Sequence, residues 1–248
     1  MDKFGIGNIG LPGFGIDDFR LPVFGNDYGD NDYGGHKSLV DAWLMSGYSN
    51  DNPPASIRGV KGHALYMKNL LFAPESGFGR GAYEGALVFD GVDDYAVCKG
   101  LPIQTDYTVI CRRDIITVKN GSAVASKRTY PDDTGVFGAF VLERVFSAGN
   151  KALYSFGRTN GIDSFNPNGV IWQTKTSYNG KSIAAGSTDD SETLSLGANA
   201  YNINLERCQE LSNIAVYYFA LYSKSLTPEE IEVEKEWLHN EWNKKLSV

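Results

Sequence analysis

The sequence is short of several kinds of residue, and each shortage removes a class of function. Its three cysteines, Cys98, Cys111 and Cys208, are an odd number with no C-x-x-C spacing, and they sit in strand-like surroundings (YAVCK, TVICRR, LERCQE). A free thiol there behaves as a small hydrophobe, which argues against a disulfide framework or a zinc site. Histidine is as scarce, with only His36, His63 and His239, and neither H-E-x-x-H nor G-x-S-x-G occurs. No nucleophile–base pair is therefore readable from the sequence. Basic residues are outnumbered, 23 Lys and Arg against 30 Asp and Glu for a net charge of -7. Nucleic-acid binding draws on clustered Lys and Arg, so nucleic acid is not an expected partner.

Long apolar runs are missing as well. None approaches the roughly 20 residues of a membrane-spanning helix, and MDKFGIGNIG has neither the basic start nor the apolar stretch of a secretion signal. The expectation is a protein made in the cytoplasm, with no membrane insertion. Carboxylates alternating along a strand, as in the E-x-D-x-E of retaining glycosidases, are absent too; that chemistry needs two carboxyls about 5 Å apart. The one E-x-E-x-E run, Glu230 to Glu234, falls in a helical segment where alternate residues diverge. These absences together predict a chain that is not an enzyme.

Two motifs mislead. GIGNIG at 5–10 matches G-x-G-x-x-G, but only four residues precede it and no strand can form there. NGKS at 179–182 ends like a phosphate-binding loop, yet Lys175 stands where the first glycine is required. It reads as a hairpin turn.

Strands and turns are plentiful. With 28 Gly and 14 Tyr among 248 residues, the composition favours short strands. Apolar runs recur from residue 38 onward: ALYMKNLLFA, GALVFDG, YAVCK, YTVICRRDIITV, VFGAFVLERVF, ALYSFG, GVIWQTKTS, TLSLG and NIAVYYFALYS. Between them stand NPP, DGVDD, KNGS, YPDDTG, NPNG, YNGK and STDDSE, which is turn chemistry. One helix is predicted near the end, in SLTPEEIEVEKEWLHNEWNKK, with Thr227 as cap, Pro228 in the first turn and Glu230 completing a capping box. Many strands followed by a single helix, without βα alternation, predict an all-β sandwich.

At ALVFDGVDDYAVC, a strand ending in Phe-Asp-Gly with Asp-Asp-Tyr opening the next, the sequence resembles the concanavalin A-like lectin/glucanase superfamily in its laminin-G-like jelly-roll branch. IAVYYFALYSKSLTPEEIE resembles the closing strand and helix entry of that branch. The stretch SLVDAWLMSGYSNDNPPASIRGVKGHALYMKNLLFAPESGFG is similar to the entry segment of such modules in gut Bacteroidales and their phages. The resemblance implies a concanavalin A-like jelly-roll β-sandwich with one C-terminal helix over residues 38–248, preceded by an extended arm at 1–37. It leaves function open, since this architecture hosts lectins, hydrolases and structural modules.

Two sets of residues are candidates on the sandwich. Asp90, Asp93 and Asp94 either join backbone carbonyls around a Ca²⁺, as in some relatives, or satisfy backbone N–H groups of their own turn; no other cofactor is expected. Tyr130, Asp132, Asp133, Tyr178 and Asn179 have the aromatic and polar make-up that glycan-binding loops use. In the arm, LP-x-FG occurs twice at a ten-residue interval, and Phe4, Leu11, Phe14, Phe19, Leu21 and Phe24 are spaced apolar anchors in a Gly- and Pro-rich segment. Such anchors suit docking onto other virion proteins or sister subunits.

An anchoring arm, a lectin-like head and no secretion signal lead to the expectation of a non-enzymatic bacteriophage virion protein. It would be a capsid, head-fibre or tail-fibre component, released by lysis, whose jelly roll is displayed and adheres to cell-surface or mucus glycans. The alternative is a secreted or cell-surface glycan-binding module of a gut bacterium, and after it a glycoside hydrolase.

Overall fold

The computed structural model describes residues 34–129, 137–145, 150–163, 166–187, 189–202 and 207–247. Two stacked sheets account for most of them. The first has eight strands: β1 (Leu39–Leu44), β4 (Gly77–Phe78), β5 (Leu87–Asp90), β7 (Thr108–Thr117), β12 (Asn168–Thr174), β13 (Ser177–Tyr178), β14 (Lys181–Ser182) and β18 (Asn213–Tyr222). The second has ten: β2 (Ser56–Arg58), β3 (Ala64–Lys68), β6 (Tyr95–Cys98), β8 (Ala125–Thr129), β9 (Phe137–Val145), β10 (Lys151–Ser155), β11 (Arg158–Ile162), β15 (Leu194–Leu196), β16 (Ala198–Asn202) and β17 (Arg207–Leu211). Pairing is antiparallel throughout except for one parallel contact of β16 with β8. This is the all-β sandwich that the alternating pattern predicts.

In the first sheet the order runs β14-β13-β12-β7-β18-β5-β4, and β1 extends the free half of β18. Alternation along β7 shows why these residues form such a layer. Val109, Cys111 and Ile115 face the second sheet, while Ile110 and Ile116 face outward. Between the sheets, Trp43, Tyr107 and Phe219 meet Phe140 and Leu142, with the Tyr107 and Phe140 rings 5.3 Å apart. Fully burying side chains of this kind contributes roughly 1.5–3 kcal/mol each.

The helix α2 (Pro228–Leu246) starts as predicted: the Thr227 hydroxyl accepts from the Glu230 N–H and the Glu230 carboxylate accepts from the Thr227 N–H. Ile231, Leu238 and Trp242 lie on the outer face of the first sheet, against Tyr218, Ala220 and Tyr222. Glu234, in the E-x-E-x-E run, is fully buried; it accepts the Tyr222 hydroxyl at 2.9 Å and meets His36 Nδ1 at 2.6 Å. His36 belongs to a short helix that the sequence pattern did not predict, α1 (Gly34–Ser38), and its ring lies 4.7 Å from that of Trp237, tilted by 55°. That aromatic and polar contact, made far away in the chain, is what fixes a segment without periodicity of its own.

Other differences are local. The run at 64–73 stops being a strand at Lys68 because Asn69 and Phe72 take positive φ (63° and 53°), which breaks the pleat. Asn179 and Gly180, at φ 44° and 82°, form the two-residue turn joining β13 to β14 that NGKS was expected to be. Cys98 and Cys111 are buried free thiols, and burial pushes the Cys98 thiol up to about 12.

Candidate functional site

The two faces of the first sheet carry different chemistry. On the inner face, Arg113 donates from Nε and Nη2 to the two Glu143 oxygens at 2.8 and 2.7 Å, and the Tyr178 hydroxyl donates to Glu143 Oε1 at 2.5 Å. Arg113 and Glu143 are fully buried and Tyr178 nearly so. Burial pushes the Glu143 carboxyl up, against the opposing pull of Arg113 and Tyr178. The space beside Glu143 is about 10 Å³, less than a sugar needs, so this trio ties the sheets together.

The outer face is open at one margin. α2 covers β1 and β18, and between it and β12 and β7 runs a groove of about 540 Å³. Val170, Arg112 and Tyr218 form a cross-strand row along its floor, since Val170 pairs with Arg112 and Arg112 with Tyr218. Val233, Glu236 and His239 form the helical wall. Two residues along from Val170, and on the same face, the partly buried Trp172 packs outward. A register shift in β18 between Val216 and Tyr218 puts Tyr217 and Tyr218 on the same outer face, as a bulge does.

That bulge positions Arg112. Its guanidinium lies 4.6 Å from the Tyr217 ring centre and 4.7 Å from that of Trp242, with Nη1 3.5 Å from His239 Nδ1. The Tyr217 hydroxyl is committed elsewhere, donating to Asp114 at 2.8 Å. Among the described residues Arg112 has no carboxylate within ion-pair distance, and Tyr218 beside it is fully buried. The groove thus offers the Val170 side chain and the Tyr218 ring beside a stacked cation on its floor, and the Glu236 carboxylate as acceptor on its wall.

The sequence candidates are distributed differently. Asn179 is exposed and brackets Trp172, accepting its N–H through Oδ1 at 2.9 Å and donating its own N–H to the Trp172 carbonyl at 3.0 Å. Tyr178, its neighbour, turns inward and its hydroxyl is spent on Glu143. Tyr130, Asp132 and Asp133 lie outside the described residues, as do Phe4, Leu11, Phe14, Phe19, Leu21 and Phe24 of the arm. No sequence motif marked Arg112, but the period of YTVICRRDIITV held the signal: position 112 falls in line with Ile110 and Ile116, and position 113 with the core residues Cys111 and Ile115.

Asp90, Asp93 and Asp94 do converge, with carboxylate oxygens within 4.8 Å of one another. Calcium takes roughly 6–8 oxygen ligands. Here Asp90 Oδ1 accepts the Val92 N–H at 2.7 Å and Asp94 Oδ2 accepts the Asp90 N–H at 3.0 Å, while the Lys119 ammonium bonds the Gly91 carbonyl. Burial pushes the Asp94 carboxyl up, opposed by the Asp90 N–H and the Ser76 hydroxyl. These contacts build the turn.

No family model matches this sequence, and no curated protein matches it. Solved structures do. A Trypanosoma rangeli sialidase in complex with sialic acid is similar at TM-score 0.53 and 12% identity, over 79% of this chain and 32% of the sialidase. A T. rangeli sialidase mutant displaying trans-sialidase activity gives 0.52 and 14% over the same shares. The ligand-binding domain of botulinum neurotoxin serotype D, in complex with N-acetylneuraminic acid, gives 0.50 and 12%, over 82% of this chain and 51% of that one. The chain therefore spans about a third of the sialidases and half of the toxin domain. At these identities the likeness shows the fold, an all-β sandwich found in chains that handle glycans. It also corrects one expectation: the missing motifs predicted a non-enzymatic chain, but this sandwich occurs within enzyme chains, so their absence does not exclude catalysis. No helix among the described residues is long and apolar enough to cross a membrane.

Proposed function

We propose that the chain is a glycan-binding β-sandwich module and that the groove between α2 and strands β12, β7 and β18 is its binding site. The observation that carries this reading is the composition of the groove: a floor of Val170, Arg112 and the Tyr218 ring, a wall with Glu236 and His239, and Trp172 two residues along β12 on the same face. Sugars are held by stacking of their apolar faces and by a few oriented polar groups, and both are present. The likeness to a toxin domain solved with N-acetylneuraminic acid and to a sialidase solved with sialic acid supports it. Placing the sandwich in the laminin-G-like branch rests on the resemblance at ALVFDGVDDYAVC and IAVYYFALYSKSLTPEEIE.

The test is a glycan panel probed with the full chain and with Trp172→Ala and His239→Ala. Binding by the wild type and its loss in both variants, at unchanged melting temperature, is the expected result. Glycan binding that both variants retain would move the site off this groove.

A further inference from the structure

We infer that the groove recognises an acidic sugar residue, whose carboxylate seats on the Arg112 guanidinium; the inference rests on the glycan-binding reading of the same groove. Arginine on a protein surface usually finds an acid or points into water. Arg112 does neither. It is partly buried, clamped over Tyr217 and Trp242 at 4.6 and 4.7 Å, with no carboxylate in ion-pair range among the described residues. The acid on its own face, Asp114, accepts the Tyr217 hydroxyl. Stacking on two rings and the long Nη1 contact with His239 hold the planar fork in place and leave Nε and Nη2 without a partner among the described residues, so the fork is preorganised for a carboxylate.

The surrounding charges narrow the ligand. Glu232 is neutralised by Lys235 at 2.9 Å, but Glu236 on the helical wall has no ion-pair partner among the described residues. A free carboxylate there opposes a densely anionic ligand such as a polysulfated chain and suits hydroxyls as donors. One carboxylate beside a ring of hydroxyls, as in a uronic or sialic acid, suits a groove with Arg112 on its floor and Glu236 on its wall.

The experiment measures binding of D-glucuronate and N-acetylneuraminate to the full-length protein by ligand-observed NMR and calorimetry, beside their methyl esters and neutral D-glucose and D-galactose. The esters keep the ring and remove the charge, so the comparison needs no altered protein. The expected result is that at least one acid binds and its ester is weaker by about tenfold or more. Arg112→Gln should then reduce acid binding to the level of the ester, with Arg112→Lys in between. Acid and ester binding alike, or neutral sugars binding as well as acids, overturns the inference and leaves the glycan-binding reading standing. No binding of any sugar, here and on the wider panel, overturns both.

Discussion

Arg112 and Arg113, consecutive in β7, stand on opposite faces of one sheet and do opposite things. Arg113 is sealed between the sheets in a two-bond pair with Glu143, while Arg112 lies outside over Tyr217 and Trp242 at the floor of the groove. Strand geometry sends successive side chains to opposite faces, so the register of β7 sets the core and the groove at once.

The buried pair gives a first prediction. Arg113→Met or Glu143→Leu alone strands a charge in the core and is expected to cost about 3–5 kcal/mol, read from urea unfolding midpoints. Combining both with Tyr178→Phe, which removes the hydroxyl that would lose its acceptor, should recover most of that loss. A triple variant as unstable as the summed singles would show that the pair contributes more than it costs to bury.

A second concerns pH. Burial raises the folded-state pKa of Asp94 above its ordinary value, so the folded protein holds that proton more tightly than the unfolded chain. The resulting stability is fully present below about pH 3.9 and is lost as pH rises through the folded-state value. Melting temperatures of wild type should therefore fall relative to Asp94→Asn as pH rises from that point toward neutrality. A difference that moves the other way would mean that the charged form is the one favoured.

Because the Asp90 and Asp94 oxygens already serve Val92 and Asp90 N–H groups, calcium should matter little. The melting midpoint in EDTA and in millimolar Ca²⁺ is expected to coincide. An ion present at a hundredfold excess over its dissociation constant would add about 2.7 kcal/mol, and a shift of that size would establish a site at this turn.

The helix start offers a smaller effect. Thr227→Ala removes the acceptor for the Glu230 N–H and should cost about 1 kcal/mol, a fall of roughly 2–4 °C in a chain of this size. The groove residues lie on α2 beyond its first turn, so sugar binding should survive the change at temperatures where the protein is folded. Loss of binding with an intact fold would tie the helix cap to the groove.

Much of the fold could be read locally. GALVFDG, YAVCK and YTVICRRDIITV became β5, β6 and β7 because their alternation, β-branched content and flanking turns all favour the same state. The capping box located the start of α2 to the residue. Tyr178 was harder. Its turn-rich neighbourhood suggested an exposed binding loop, yet the tight Asn179–Gly180 turn leaves Tyr178 paired to Lys181 and aimed at Glu143, a residue from the opposite sheet. Only the partner across the sandwich determines which way that side chain goes.

The same division holds for the whole chain. The sequence by itself determined strands such as β5, β6 and β7 with their alternating faces, the terminal helix and the Asn179–Gly180 turn, because each rests on interactions between residues a few positions apart. Tertiary structure alone decided that Arg112 would stack on Tyr217 and Trp242, that Glu234 would be buried beneath His36 and Tyr222, and that a groove would open where α2 stops short of β12. Those features depend on strand order and on a one-residue bulge in β18, which bring together residues more than a hundred positions apart, and no local pattern encodes them.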